Sequence, residues 1–307
     1  MSARNDARRS AGSEAVGGIV VAAGAVLFGV VVVFGKVALR HGLPVPSALA
    51  VRFGVGAAIL AVALVLLRRP VVAVEGERRG MALLALFGYA VEAGFFFAAL
   101  QHGTAAAVTL LFFTYPVFVT LLSWATGRGR PTRLTVFSLV LAVGGAAIVV
   151  TTGAGLTIEP VGVVFALASA VTYSGYLFGA GVVVKRTNPL TSAMWLSLGA
   201  SVGLAVFALV TSQARWPSGG QEWWPVLGMG AGTAGAFVCL MGGLQRLGAV
   251  RTSIVSALEP LSSAILAWIF LHEDITVGVV IGGLLILAGA VSASVSRQLA
   301  PEEPPIP

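Results

Sequence analysis

Two apolar stretches decide the fold: residues 104–124, TAAAVTLLFFTYPVFVTLLSW, and residues 248–271, GAVRTSIVSALEPLSSAILAWIFL. Each is long enough to cross the hydrocarbon core of a bilayer, which takes about 20 helical residues. Each is interrupted near its middle by a proline, Pro116 or Pro260. A proline inside a helix removes one backbone hydrogen bond, so both stretches are predicted to be kinked membrane-spanning helices.

The two stretches belong to an internal repeat. A shift of 144 residues aligns 100–146 with 244–290 without a gap, and eleven of the aligned positions are identical. The informative identities involve less common residues, such as Trp124 with Trp268, because apolar composition alone produces chance matches. The alignment indicates that the chain contains two related halves.

The composition is that of a membrane protein. Of 307 residues, 57% are apolar and 10% are charged, whereas soluble domains have about 25% charged residues. A single cysteine excludes a disulfide framework, and three scattered histidines form no metal-ligand motif. We therefore expect neither an enzyme nor a bound metal or other cofactor. The net charge of +7 comes from residues scattered between apolar runs, which argues against nucleic-acid binding.

Ten apolar runs are long enough to span a bilayer, and all are expected to be helices because lipid offers no partners for backbone N–H and C=O groups. They cover residues 16–39, 47–67, 80–101, 104–124, 132–151, 160–184, 189–210, 223–244, 248–271 and 276–295. The sequence thus predicts an all-α, multi-pass integral membrane protein.

The basic residues predict its orientation. Fifteen of the 19 Lys and Arg residues lie on the side of the N-terminus, and only Arg40 and Arg215 lie on the opposite side. Positively charged connections stay in the cytoplasm. We therefore expect a cell-membrane protein with cytoplasmic termini, a disordered N-terminus at residues 1–15 and a cytoplasmic C-terminal tail at 296–307.

The ten spans divide into repeats at residues 16–151 and 160–295. Five spans is an odd number, so the two repeats must cross the membrane in opposite senses. The loop charges agree, because Arg128-Gly129-Arg130 aligns with His272-Glu273-Asp274. The basic loop is expected inside and the acidic loop outside.

These features together resemble the drug/metabolite transporter superfamily in its two-repeat, ten-helix EamA form. The resemblance covers roughly residues 17–297 and is carried by Arg52-Phe53, Phe113-Thr114-Tyr115-Pro116, Leu258-Glu259-Pro260 and the segment from Glu273 to Gly289. It implies a helical bundle with a central pocket that moves small metabolites or drugs, commonly outward. Gly129 departs from the family, which often has a glutamate there, so no shared loop role is assigned to both repeats.

Glu92 and Glu259 fall near the middle of predicted spans, and Arg52 and Lys36 also lie within spans, nearer their ends. A charged carboxylate at the depth of Glu92 or Glu259 is costly, so each must be protonated, paired or hydrated. Either could carry protons for transport; alternatively, Glu259 could repair the helix broken by Pro260, and Arg52 could neutralise Glu92. Arg52 could anchor an anionic substrate group or extend to the membrane surface, and Lys36 is expected to extend to the surface.

Four tyrosines also lie near mid-depth, although tyrosine prefers the membrane interface. Each buried hydroxyl needs a partner, which predicts a polar, partly hydrated cavity between spans three, four and six. Phe95, Phe96, Phe112 and Phe113 are its candidate walls. The predicted substrate-binding residues are Arg52, Tyr89, Glu92, Phe96, Phe112, Tyr115, Tyr173, Tyr176 and Glu259, with Glu92 and Glu259 as proton-coupling candidates.

The matched prolines favour a secondary transporter, because discontinuous helices at corresponding places in two halves mark binding sites in such proteins. The sequence contains no nucleotide-binding motif. The expected partners are the lipid bilayer, a small molecule such as an amino acid, another amphipathic metabolite or a drug, and protons. A proton-coupled importer and a channel remain alternatives. An oligomer is compatible with the sequence, but no feature supports one.

Overall fold

The computed structural model describes the backbone of residues 2–126, 133–151 and 158–299. Within these ranges the regular structure is helical, apart from one isolated bridge between Gly103 and Ile158. The elements are α1 (Ser2–Arg40), α2 (Val45–Leu66), α3 (Arg78–Leu83), a π-helix (Leu84–Tyr89), α4 (Ala90–Gln101), α5 (Ala105–Phe112), α6 (Tyr115–Ala125), α7 (Arg133–Thr151), α8 (Pro160–Val183), α9 (Pro189–Val210), α10 (Gly220–Ser256), α11 (Leu258–Leu271) and α12 (Val277–Leu299).

Ten apolar helical segments in the described ranges correspond one for one to the predicted spans. Six are long and apolar enough to cross a membrane: Val16–Arg40, Val45–Leu66, Arg78–Gln101, Pro160–Ala180, Pro189–Val210 and Gly220–Gly243. Four are shorter: Ala105–Val119, Val136–Thr151, Leu258–Leu271 and Val277–Ser292. Many large apolar side chains on the outer surface are exposed, as lipid contact requires. The all-α membrane fold is confirmed.

Several helices begin where local sequence chemistry allows it. Pro160 and Pro189 occupy the first turn of α8 and α9, where a missing N–H costs no helical hydrogen bond. The side chains of Thr104 and Asn188 accept hydrogen bonds from the first turns of α5 and α9.

The helix packing has the symmetry of an inverted repeat. Helix α1 packs against α10 and α11, and its counterpart in the second repeat, α8, packs against α4, α5 and α6. The pairs α2 with α9 and α7 with α12 each join a helix to its own counterpart, and α2 also packs against α10 as α9 packs against the π-helix of span three. If each span is replaced by its counterpart five spans away in the other repeat, the same set of major helix–helix contacts results.

Small residues make the pairing of α7 with α12 possible. A Cβ atom added at Gly145 would lie 2.5 Å from the carbonyl oxygen of Gly282, and one added at Gly282 would lie 2.5 Å from that of Gly145. Real Cβ atoms do not approach so closely, so the two backbones touch only because both residues are glycine.

The structure differs from the sequence expectations in three places. The backbone is helical from Ser2, where disorder was expected over residues 1–15. It is also helical without a break from Gly220 to Ser256, because the expected connection at residues 245–247 contains no proline and is composed of helix-forming residues. Span three contains a π-helix, which sequence periodicity does not reveal. The loop Arg128-Gly129-Arg130 and residues 300–307 of the tail lie outside the described residues.

Candidate functional site

A cavity of about 320 Å³ lies between the two repeats. Its walls come from α1, α2, α4, α8, α10 and the region where spans four and nine are broken. All nine residues proposed from sequence to bind substrate line it: Arg52, Tyr89, Glu92, Phe96, Phe112, Tyr115, Tyr173, Tyr176 and Glu259. Residues far apart in the sequence thus meet at one site.

Spans four and nine are broken at equivalent positions. The first break separates α5 from α6 at Phe113 and Thr114, and the second separates α10 from α11 at Ala257. Pro116 and Pro260 fall in the first turn after each break, where helices tolerate proline. Neither proline is among the described residues that line the cavity, but their preceding neighbours Tyr115 and Glu259 are.

An aromatic wall covers one side of the cavity. Tyr115 and Tyr173 meet edge to face with ring centroids 4.9 Å apart, and Phe112 lies 5.1 Å from Tyr173. Tyr176 stacks on Tyr173 at 5.7 Å and on Tyr89 at 5.5 Å. Such rings present flat apolar faces together with polar hydroxyl groups, a surface suited to amphipathic molecules.

Glu92 lies on the wall next to these rings. It follows the π-helix by three residues, and such irregular turns are frequent at functional sites. Its side chain is buried, and one carboxyl oxygen accepts a hydrogen bond of 3.1 Å from the hydroxyl of Ser169 on α8. Ser169 was not among the residues predicted from the sequence, where the only signal was a serine within an apolar span.

Arg52 is buried beside the cavity, with 7% of its surface exposed, so it does not extend to the membrane surface. Its Nε atom donates a 3.0 Å hydrogen bond to the hydroxyl of Thr233 on α10. Its guanidinium carbon lies 4.7 Å from the ring centroid of Phe53 and 5.2 Å from that of Phe97. Among the described ion pairs, Arg52 has none with a carboxylate, although Glu92 and Glu259 lie close enough to attract it electrostatically.

Lys36 was expected to extend to the membrane surface, and this expectation is wrong. Its ammonium group lies 3.0 Å from the carboxylate of Glu273, and both side chains are largely buried. Lys36 also donates to the carbonyl of Gly103, and Glu273 accepts a 2.7 Å hydrogen bond from the backbone N–H of Ala105. Lys36 and Glu273 therefore bind the backbone on both sides of the turn between α4 and α5, at the end of the bundle where α1 ends.

A second buried carboxylate ties loops together at the opposite end. Glu77 accepts hydrogen bonds from the hydroxyl of Thr187 and from the backbone N–H groups of Lys185, Arg186 and Thr187. These donors lower the pKa of Glu77 to about 2, the Thr187 hydroxyl having the largest effect. Glu77 thus joins the α2–α3 connection to the α8–α9 connection.

Part of the cavity wall differs from the wall predicted from the sequence. Phe95 stacks on Phe165 with centroids 6.1 Å apart and is not among the described lining residues. A face of α1 from Val21 to Val32, and Phe237, Leu240 and Met241 of α10, complete the lining instead. These are ordinary apolar residues, and nothing in the sequence distinguishes them from those that face lipid.

Comparison with known proteins agrees with this architecture. The family model described as EamA-like transporter family matches residues 15–151 and 160–295. An uncharacterized transporter from Archaeoglobus fulgidus is 28% identical over 212 residues, covering 68% of this chain and 74% of its own length. The uncharacterized transporter YvbV of Bacillus subtilis is 28% identical over 195 residues, covering 61% of this chain and 62% of its own length.

A solved crystal structure has the same fold. It superposes with a TM-score of 0.64 over 93% of this chain and 99% of its own, at 21% sequence identity. Fold and cavity define an integral membrane protein of two inverted five-helix repeats. The chain belongs to the EamA-like transporter family, within the drug/metabolite transporter superfamily.

Proposed function

We propose that this protein is a secondary transporter that moves a small amphipathic molecule through the central cavity by alternating access. The observation that carries the proposal is the cavity itself, which lies between two inverted repeats and is lined by aromatic rings and three ionisable side chains. A volume of about 320 Å³ is at the lower end of the range for small-molecule sites. An amino acid, a similar metabolite or a small drug fits these dimensions.

Glu92 and Glu259 are proposed to couple transport to protons. Both carboxyl groups line the cavity, so each is accessible to protons and to cargo from the same space. A charged carboxylate away from water is costly, and binding a proton or a cationic group removes that cost. Exchange between proton and cargo at these two groups would link their movements.

Alternating access also needs a closure at each end of the cavity. Lys36 and Glu273 are proposed to form one, because together they hold the backbone on both sides of the α4–α5 turn. Lys36 lies on α1, whose main partners are α10 and α11, whereas the turn belongs to the helices that pack with α8. The contacts therefore join the α1, α10 and α11 helices to the α4, α5 and α8 helices on the other side of the cavity.

Export is the proposed direction, on the basis of family resemblance, and a proton-coupled importer is the alternative. The same cycle runs either way according to the gradients. We therefore propose to measure flux in proteoliposomes under a pH gradient of either sign. A mixed pool of amino acids and lipophilic cations is supplied, and transported compounds are identified by mass spectrometry.

The Glu259→Gln variant tests coupling in the same assay, with Glu159→Gln as its matched control. Glu159 is an exposed carboxylate paired with His102 away from the cavity. Gradient-driven flux that is lost in Glu259→Gln and retained in Glu159→Gln supports the proposal. Unchanged coupling rejects the role of Glu259, and absence of flux for the whole pool rejects transport of these compounds. Discrete unitary currents would indicate a channel.

A further inference from the structure

We infer that Arg52, held in place by Thr233, forms a subsite in the cavity for an anionic oxygen group of the cargo. The inference rests on the proposed transport function and narrows its substrate class to molecules with a carboxylate or a similar oxyanion. Thr233 is the positioning residue of this subsite, and Arg52 is the residue that contacts the cargo.

The hydroxyl of Thr233 has a fixed orientation. It donates its hydrogen to the carbonyl of Met229 at 2.8 Å, so only its lone pairs are available to a second partner. Arg52 supplies that partner through its Nε–H, at 3.0 Å. Thr233 is fully buried, so water does not compete for either bond. The contact therefore fixes one edge of the guanidinium.

Two aromatic rings also hold the guanidinium in place. The rings of Phe53 and Phe97 lie 4.7 Å and 5.2 Å from its central carbon, at distances where aromatic rings attract cations. Both rings are almost completely buried and line the same cavity. A long side chain that would otherwise extend to the membrane surface is therefore held in one position inside the bundle.

This arrangement leaves the outer edge of Arg52 available. A guanidinium has five N–H groups, and the structure assigns an acceptor to only one of them among the described residues. The side chain is 93% buried yet forms part of the cavity wall. Glu92 and Glu259 line the same cavity and attract Arg52 electrostatically, but within the described residues neither forms an ion pair with it. The two terminal NH₂ groups match the two oxygens of a carboxylate.

The subsite gives a reason for a permanent cation inside the bundle. A buried charge is costly, and a bound oxyanion would offset that cost for Arg52 with two hydrogen bonds. Lysine could not replace arginine here, because it has neither an Nε–H for Thr233 nor a planar pair of donors.

The test uses two matched pairs of probes: 3-phenylpropanoate with 3-phenylpropanamide, and L-phenylalanine with L-phenylalaninamide. Within each pair a neutral amide replaces the carboxylate. Dissociation constants are obtained from the concentration dependence of thermal stabilisation of the purified full-length protein. We expect at least one carboxylate probe to bind about tenfold or more tightly than its amide.

Three variants separate positioning from packing. Thr233→Val keeps the shape of the side chain but removes its hydroxyl. Arg52→Lys keeps the positive charge but removes the planar pair of NH₂ donors. Both variants should reduce the preference for carboxylate over amide at least fivefold. Thr233→Ser keeps the hydroxyl and should preserve the preference. Arg52→Lys provides the test if Thr233→Val does not fold, as judged by size-exclusion chromatography.

The inference is overturned if no carboxylate probe binds the wild-type protein, if amides bind as tightly as carboxylates, or if Thr233→Val weakens both members of a pair equally. Failure of the subsite is distinguishable from failure of transport. Flux of a compound without an anionic group, unchanged in Arg52→Lys, rejects the subsite and leaves the transporter. Absence of flux for every compound in the pool rejects the transporter whatever the binding data show.

Discussion

Removing the ion pair between Lys36 and Glu273 should open one end of the cavity. The two side chains lie 3.0 Å apart and have 14% and 8% of their surface exposed, so the pair is largely withdrawn from water. Each also holds the backbone of the α4–α5 turn, through Gly103 and Ala105. Glu273→Gln keeps the shape and an acceptor for Ala105 while removing the charge.

The expected size of the effect follows from this burial. Breaking a fully buried pair costs about 3–5 kcal/mol, and the partial exposure of Lys36 reduces this to about 2–4 kcal/mol. In the proposed cycle these contacts exist only when this end is closed, so their loss should shift the equilibrium toward opening. At 1.4 kcal/mol for each factor of ten, the open population should rise about 30- to 700-fold.

The assay measures access to a reporter cysteine at position 32. Val32 lines the cavity and lies about one helical turn, roughly 6 Å, from Lys36 on the same helix. The native Cys239 is replaced by alanine, and a charged, membrane-impermeant methanethiosulfonate is added to either side of sealed vesicles. Labelling from the side of Glu273 should accelerate in Glu273→Gln by the factor given above.

Two controls make the result specific. Glu159→Gln removes the charge from an exposed pair at the same end and should change labelling less than about fivefold. Lys36→Met combined with Glu273→Gln should label no faster than the faster single variant, because both remove the same interaction. Unchanged labelling in both single variants, or fully additive effects, would refute the closure.

Three further predictions concern other parts of the molecule. The pKa of Glu77 is lowered to about 2 in the folded protein, whereas the ordinary pKa of a glutamate is near 4.5. Ionised Glu77 therefore stabilises the fold fully above pH 4.5, and this stabilisation is lost as the pH falls toward 2. Glu77→Gln should flatten the pH dependence of the thermal midpoint over this range, and an unchanged profile would contradict a stabilising role for the Glu77 carboxylate. Gly145→Val should lower the thermal midpoint by several degrees, because its side chain would meet the backbone of Gly282, whereas substitution of the uncrowded Gly144 by alanine should have little effect. Tyr115→Ala should weaken cargo binding more than it reduces folded yield, since Tyr115 lines the cavity; equal losses in ligand affinity and yield would indicate a packing role alone.

The inverted topology gives a further check. Cysteines introduced at positions 129 and 273 occupy equivalent places in the two repeats. They should react with an impermeant reagent from opposite sides of the membrane, and reaction from the same side would rule out the inverted arrangement.

The sequence by itself determined the class of fold. Lipid does not hydrogen-bond to a backbone, so long apolar runs must become helices, and their number and order could be counted directly. The repeat was visible because Pro116 and Pro260 are separated by the same 144 residues that align the neighbouring spans. Ionisable and tyrosine residues at mid-depth marked the cavity because such residues are costly in lipid.

Tertiary structure decided which groups meet. The sequence did not show that Lys36 pairs with Glu273, because a lysine near a helix end can equally reach the membrane surface. Nor did it show that Thr233 holds Arg52, since a threonine in an apolar span usually bonds only to its own helix. Contacts across 237 and 181 positions depend on how helices pack, and apolar periodicity does not specify that packing when both lipid and protein interior are apolar.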